Sequence, residues 1–178
     1  MLKNKLQPDL VLGEPVLGIT LELIERYHLQ GLVLDVDETL VPLREAETTA
    51  EVREWFATLQ AQVPIWLVSN NLHEPRIQRI AKSLAVPYIT GAGKPSRRKL
   101  RQATAAMQLP IERIAMVGDR LFTDVLAGNR LGMFTILVEP MVYPMGKPGK
   151  YLLRSTEVWL SQRLGVSLQA TRSGSPGL

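Results

Sequence analysis

Gly31-Leu32-Val33-Leu34-Asp35-Val36-Asp37-Glu38-Thr39 runs a short apolar stretch straight into two carboxylates. An apolar stretch of this length reads as a buried strand. Carboxylates at the end of a buried strand carry a free-energy cost unless a cation or a reaction uses them. Side chains two apart on extended chain point the same way, so Asp35 and Asp37 can meet one ligand from adjacent positions. The same arrangement recurs along the chain. Ile65-Trp66-Leu67-Val68 ends at Ser69-Asn70-Asn71, and a strand over residues 87–90 ends at Gly91-Ala92-Gly93-Lys94. Residues 114–117 close on Gly118-Asp119, with Asp124 shortly after.

Helical spacing fills the intervals between these strands. Residues 16–27 place Val16, Leu17, Ile19, Leu23, Ile24 and Tyr27 on one stripe. Thr48 or Thr49 can cap a helix whose buried stripe is Val52, Trp55, Phe56 and Leu59. A helix over residues 74–84 presents Ile77, Ile80, Ala81 and Leu84, and another runs from Pro95 or Ser96 to about Gln108. A helix over residues 123–130 ends at Gly132, and residues 134–138 form the last strand. Alternation of this kind predicts an α/β fold: a doubly wound, Rossmann-like parallel sheet in three α/β/α layers. Ligands of such sheets gather beyond the carboxyl ends of the strands, where Asp35, Ser69, Lys94 and Asp119 all fall. Beyond Pro140 a loop with Pro144, Gly146, Pro148 and Gly149 leads to a helix over residues 151–164. The expected organisation is one domain over residues 1–164, with its motif-bearing core at about 30–140, and a disordered tail over 165–178.

Composition narrows the class. The chain has 178 residues, 46% hydrophobic and 21% charged, with a net charge of +4 and no cysteine. It can bury a real core, and it excludes disulfides and cysteine–zinc sites. The positive balance favours anionic partners. No stretch reaches the roughly 18 apolar residues of a membrane span, and Pro8, Asp9, Glu14 and Pro15 interrupt any signal-peptide core. A cytoplasmic location is expected, with peripheral contact at the inner face of a membrane.

Taken singly, these residues have ordinary readings. Asp35 and Asp37 suit a turn, Ser69 a cap, Lys94 a solvated surface and Asp124 the first turn of its helix. Arg97, Arg98, Lys99 and Arg101 suit an exposed helix face. Their joint placement at successive strand ends is what points to a shared site.

Asp35-x-Asp37-x-Thr39, Ser69, Lys94 and Gly118-Asp119-x-x-x-x-Asp124 resemble the four motifs of the haloacid dehalogenase-like (HAD) superfamily. The segments 34–40, 68–71, 93–95, 118–124 and 128–133 are most similar to the type-IIIA phosphatases of the YqeG-like family. That family is related to the mitochondrial phosphatidylglycerophosphate phosphatase. Glu38 stands where this family would have Asn, and it is more similar to the protein-phosphatase branch. The resemblance implies that Asp35 attacks phosphorus to form an aspartyl phosphate while Asp37 serves as acid and then base. It implies a magnesium ion held by Asp35, the main-chain carbonyl of Asp37, Asp119 and Asp124. Ser69, Asn70 and Lys94 would be substrate-binding, with Thr39 and Asn70 also supporting the site.

The intervals from Asp35 to Ser69 and from Ser69 to Lys94 are already filled, so the fold should lack a cap domain. An open site suits a large or surface-bound phosphomonoester, and with the resemblance makes an anionic phospholipid, phosphatidylglycerophosphate, the leading substrate. Nucleic-acid ends, phosphoproteins and soluble metabolites remain alternative substrates. Nucleic acid is the less expected partner, because no aromatic stacking group stands out near the motifs. A non-catalytic HAD-like binding scaffold is the alternative of another class. A phosphoacceptor signalling domain would place its acceptor Asp after the third strand, where none occurs.

Overall fold

The computed structural model describes residues 2–43, 45–141, 163 and 165–169. Six strands form one parallel sheet: β1 (Leu10–Val11), β2 (Gly31–Leu34), β3 (Ile65–Val68), β4 (Tyr88–Ile89), β5 (Ile114–Gly118) and β6 (Phe134–Leu137), in the order β1-β6-β5-β2-β3-β4. The helices are α1 (Leu2–Leu6), α2 (Leu21–Arg26), α3 (Ala50–Gln60), α4 (Glu74–Ser83), α5 (Arg98–Met107) and α6 (Leu126–Leu131).

Period-two alternation sorts the central strands between two cores. Leu32, Leu34, Ile65, Leu67, Ala115 and Val117 pack with Phe56 and Leu59 of α3 and with Ile77 and Ile80 of α4. Val33, Val68, Ile114 and Met116 pack on the opposite face with Leu100 and Ala103 of α5 and Ala127 of α6. Both faces are therefore covered, as the continuous apolar runs predict. Strand order reverses between β2 and β5, and every strand points its carboxyl end the same way. Between β2 and β3 lie only a loop and α3, and between β3 and β4 only a loop and α4. Among the described residues, no cap domain sits in either place.

Local chemistry sets the helix boundaries. Thr49, not Thr48, caps α3, its hydroxyl accepting from the Val52 amide. Gly132, at φ 87°, closes α6 in the left-handed conformation that costs glycine nothing. The helix expected over 16–27 divides instead. A 3₁₀ turn at Val16–Gly18 gives way to extended chain at Ile19, and Thr20 caps α2 through the Leu23 amide. Trp55 of α3 donates to the freed Ile19 carbonyl at 2.8 Å.

The sequence reading missed β1, which lengthens the sheet beside β6. Asp9 anchors it, its Oδ2 accepting from the Thr135 amide at 2.8 Å and the Thr135 hydroxyl at 2.9 Å. Residues 166–168 do not belong to the disordered tail expected from 165. Val166 is buried, Ser167 exchanges two hydrogen bonds with Gln7, and Leu168 packs against Leu121, Val125 and Leu137. The loop expected after Pro140, the helix over 151–164 and the tail from 171 lie outside the described residues, apart from Arg163, which is helical.

Candidate active site

Three strand ends converge on one cluster of charge. Asp35 follows β2 and stays in the sheet through its amide, which donates to Val117 O at 2.9 Å. Asp119 follows β5, and Lys94 lies in the loop beyond β4, ahead of a cis Lys94–Pro95 peptide. Asp35, Lys94, Asp119 and Asp124 are all buried. The Lys94 ammonium sits 2.6 Å from Asp35 Oδ1 and 2.7 Å from Asp124 Oδ1. Asp35, Asp119 and Asp124 each offer an oxygen within 4.8 Å of the others. The Thr39 hydroxyl donates to Asp119 Oδ1 at 3.4 Å.

Three buried carboxylates face one buried ammonium, and their protonation records the imbalance. Burial pushes Asp35 up to about 7, with Lys94 opposing the rise and Asp124 adding to it. Asp119 is pushed up to about 8 by burial, then by the charges of Asp124 and Asp35. Burial lowers the proton affinity of Lys94, but Asp124 and Asp35 outweigh it and hold the ammonium more firmly protonated than an ordinary lysine. Asp124 Oδ1 is buried without a donor aimed along a hydrogen-bond direction, although the ammonium is close. The cluster is short of positive charge. Hard carboxylate oxygens at this spacing fit a magnesium-like divalent cation and not a thiophilic one.

A π-helical turn, Leu121–Val125, places Asp124 in the cluster. Val125 N reaches back five residues to Arg120 O, and the wider turn folds the Asp124 side chain over Gly118. A Cβ at position 118 would lie 2.3 Å from Asp124 Oδ2, so only glycine permits this approach. Asp124 Oδ2 accepts from the Arg120 amide at 3.3 Å. Asp124 is therefore a member of the cluster and not merely a helix-dipole partner.

Asp37 occupies the neighbouring wall and is held on both oxygens. Oδ1 accepts from Arg76 Nη1, while Oδ2 accepts from Asn71 Nδ2 at 3.0 Å and from the Ser69 hydroxyl at 3.5 Å. The same guanidinium donates to Glu45 O at 2.6 Å and Pro42 O at 3.0 Å, tying the loop after β2 to α4. Between Asp35 and that loop the backbone turns through Glu38, which takes φ 65°. A side chain other than Gly or Asn in that region carries strain.

A HAD-hydrolase-like family model matches residues 91–143. The chain is 35% identical to "Probable phosphatase YqeG" of Bacillus subtilis over 142 residues, 79% of this chain and 81% of that protein. It belongs to the YqeG-like family of HAD phosphatases. A shorter match, 32% identical over 82 residues, links it to the chloroplastic phosphatidylglycerophosphate phosphatase 1 of Chlamydomonas reinhardtii, covering 45% of this chain and 30% of that one. Among solved structures, a haloacid dehalogenase-like hydrolase from Xanthomonas campestris superposes at TM-score 0.51 with 15% identity, over 77% of this chain and 94% of that one. A protein from Listeria monocytogenes serotype 4b does so at 0.50 and 15%, over 76% and 99%. At that identity the likeness carries the fold alone.

In this member of the YqeG-like family the structure brings together Asp35, Asp37, Ser69, Lys94, Asp119 and Asp124, the residues singled out in the sequence. Asn70, expected to bind substrate and to support the site, is seen in the supporting part. Its amide donates to Lys94 O at 3.0 Å and accepts from Lys94 N at 2.7 Å, so both ends brace the loop that carries Lys94. Sequence reasoning missed Arg76 and Asn71. Asn71 extends the polar run after β3, a visible signal. Arg76 has none: beside Glu74 at a helix start it reads as solvated charge, yet it is 9% exposed.

Proposed function

We propose that this chain is a magnesium-dependent phosphomonoester phosphatase working through an aspartyl phosphate on Asp35. The supporting observation is the meeting of three buried carboxylates and Lys94 at the strand ends, with Asp37 held beside them. Asp35, Asp119, Asp124 and the Asp37 carbonyl would hold the ion, which HAD enzymes generally use. When bound, the ion supplies the charge that lets an anionic nucleophile approach an anionic phosphoryl group.

In the first half-reaction an Asp35 carboxylate oxygen forms the bond to phosphorus as the ester oxygen leaves with a proton from Asp37. In the second, Asp37 takes a proton from water, whose oxygen displaces Asp35 and releases inorganic phosphate. Arg76 holds Asp37 Oδ1, and Oδ2, which carries the Asn71 bond and the longer 3.5 Å contact from Ser69, would exchange the proton on the side where Ser69 stands. Ser69 and Lys94 would hold phosphoryl oxygens, Lys94 while neutralising Asp35. Positioned charge must do most of the work: a general acid contributes about 10² to 10⁴ of a rate enhancement that reaches about 10²¹ for phosphate monoesters.

The substrate we favour is phosphatidylglycerophosphate or another membrane-borne monoester. Two facts support it: the capless site, and the name of the algal relative that matches part of the chain. Magnesium-dependent release of phosphate from vesicles containing that lipid, compared with nucleotide and sugar phosphates, tests it. A preference for a soluble ester would overturn the lipid assignment. Inactivity toward every ester, with intact folding, would leave the non-catalytic scaffold.

A further inference from the structure

Two large hydrophobic side chains stand exposed among the described residues, and both flank the mouth of the site. Leu72 is 86% exposed and follows Asn71, whose amide holds Asp37. Leu43 is 40% exposed on the loop after β2, next to Pro42, whose carbonyl accepts from the same Arg76 that holds Asp37. Neither leucine touches the reacting groups. Each stands on a loop at the carboxyl end of a central strand, so both project from the end of the molecule where substrate must enter.

Cations gather on that end. The chain leaves β4 toward it, passes Lys94 and starts α5 with Arg97, Arg98, Lys99 and Arg101 and no acid in the first turn. The helix dipole disfavours cations there, so the sequence breaks a local rule at this helix start. A Cβ on Gly91 would lie 2.9 Å from Leu72 Cδ2 and 3.6 Å from Lys99 Nζ, so apolar tip and ammonium are neighbours. Arg97, Arg98, Arg101 and Arg130 line an open cleft of about 800 Å³, and none of them reaches an acid within ion-pair distance among the described residues. Arg97 and Arg130 are instead steadied by carbonyls, of Arg130 and Pro95 respectively. An exposed leucine beside the Lys99 ammonium, with arginines that meet no acid among the described residues on the same helix, matches an anionic bilayer, whose interface takes apolar tips while its phosphates take the charge. Single-stranded nucleic acid would call for aromatic platforms, and no aromatic residue lines the cleft.

We propose that the mouth of the site is a bilayer-docking surface, with Leu72 and Leu43 entering the interface of an anionic membrane and the α5 cations holding its headgroup phosphates. It deepens the phosphatase reading, on which its purpose rests: docking would present a lipid phosphomonoester to Asp35 and would exclude water from a site that has no cap.

Co-sedimentation of the full chain with vesicles tests it, using phosphatidylcholine alone and phosphatidylcholine mixed with phosphatidylglycerol, with 4-nitrophenyl phosphate hydrolysis measured in parallel. The protein should sediment with the mixed vesicles only, and less so as salt rises. Leu72→Ser should bind about tenfold more weakly, since an inserted leucine contributes at least that much, and should turn over the soluble ester at the wild-type rate. The double variant Arg98→Gln/Arg101→Gln should lose the preference for phosphatidylglycerol. Wild-type protein left in solution with both vesicles would overturn the docking surface, as would Leu72→Ser binding like wild type. So would a wild-type dimer that Leu72→Ser converts to monomer, because the leucines would then cover a second copy. Vesicle binding without any ester hydrolysis would sustain the docking surface and sink the phosphatase reading instead.

Discussion

Replacing Arg76 with alanine should separate substrates by their leaving groups. The guanidinium donates to Asp37 Oδ1, Glu45 O and Pro42 O from a position only 9% exposed. A hydrogen bond to a charged group contributes about 1.5–3 kcal/mol, which corresponds to roughly 10- to 150-fold in the population of a held carboxylate. Asn71 still restrains Oδ2 at 3.0 Å, so the lower half of that range is expected, about 10- to 50-fold. The loss should appear in kcat for alkyl phosphates, whose leaving oxygen needs a proton from Asp37. KM should hardly change, since no phosphate contact is removed. With 4-nitrophenyl phosphate, whose leaving group departs without a proton, the loss in kcat/KM should stay within about threefold, because acid assistance contributes little there. The two esters are compared in kcat/KM, which reports formation of the aspartyl phosphate and leaves out the later step in which Asp37 acts as base. Arg76→Lys restores the charge but not the three-way fork, and should fall between. Stability should drop by about 2–3 kcal/mol, or roughly 5–10 °C in Tm, so rates are compared well below the melting transition. Equal losses on both esters would reduce Arg76 to a structural brace. No loss on either would mean that Asp37 needs no holding.

Asp35→Asn should abolish turnover yet, in metal-free buffer, melt no lower than wild type, since it removes a carboxylate that burial and Asp124 already push up to about 7; calorimetry beside a phosphate-release assay checks both. Gly118→Ala puts a methyl group 2.3 Å from Asp124 Oδ2 and should cost about 1–3 kcal/mol as overpacking, with magnesium affinity by titration calorimetry falling as Asp124 leaves the cluster. Glu38→Asn should stabilise by about 1 kcal/mol in denaturant unfolding, because asparagine tolerates φ 65° better than glutamate does and the ion pair to Arg120, at 4.0 Å, is weak. Metal-free protein should lose stability as pH rises. Asp35 and Asp119 titrate near 7 and 8 when folded against an ordinary value of 3.8, so the folded state binds more protons in that window, and their contribution, full below about pH 4, is lost through about pH 8. Magnesium should therefore raise Tm more at about pH 8 than at about pH 5, and the reverse order in a thermal-shift series would contradict the metal assignment.

Legibility in the sequence followed how local each signal was. Asp35, Ser69 and Asp119 were readable because a strand end is a sharp change of character within one or two residues, and a parallel sheet brings such ends together wherever they lie in the chain. The division of the first helix was written in Thr20, a capping residue, but the apolar stripe around it matched helical spacing and outweighed it. Two residues of β1 are too few for any period to register, and only the Asp9–Thr135 bonds reveal why the chain pauses there. The π turn at Leu121–Val125 depends on backbone bonds that no side-chain pattern encodes.

Arg76 shows why the second half of a site is harder to read than the first. Its environment is made by three separate segments, and each is unremarkable alone: a loop offering the Pro42 and Glu45 carbonyls, a strand end offering Asp37, and a helix offering the arginine. A buried cation of this sort is tolerable only because a carboxylate and two carbonyls meet it together, and sequence does not announce that meeting. The same reasoning runs in reverse for Lys94. Its partner Asp35 stood at a strand end, so the fold class was enough to bring that pair together, whereas Asp124 reaches the ammonium only through the π turn.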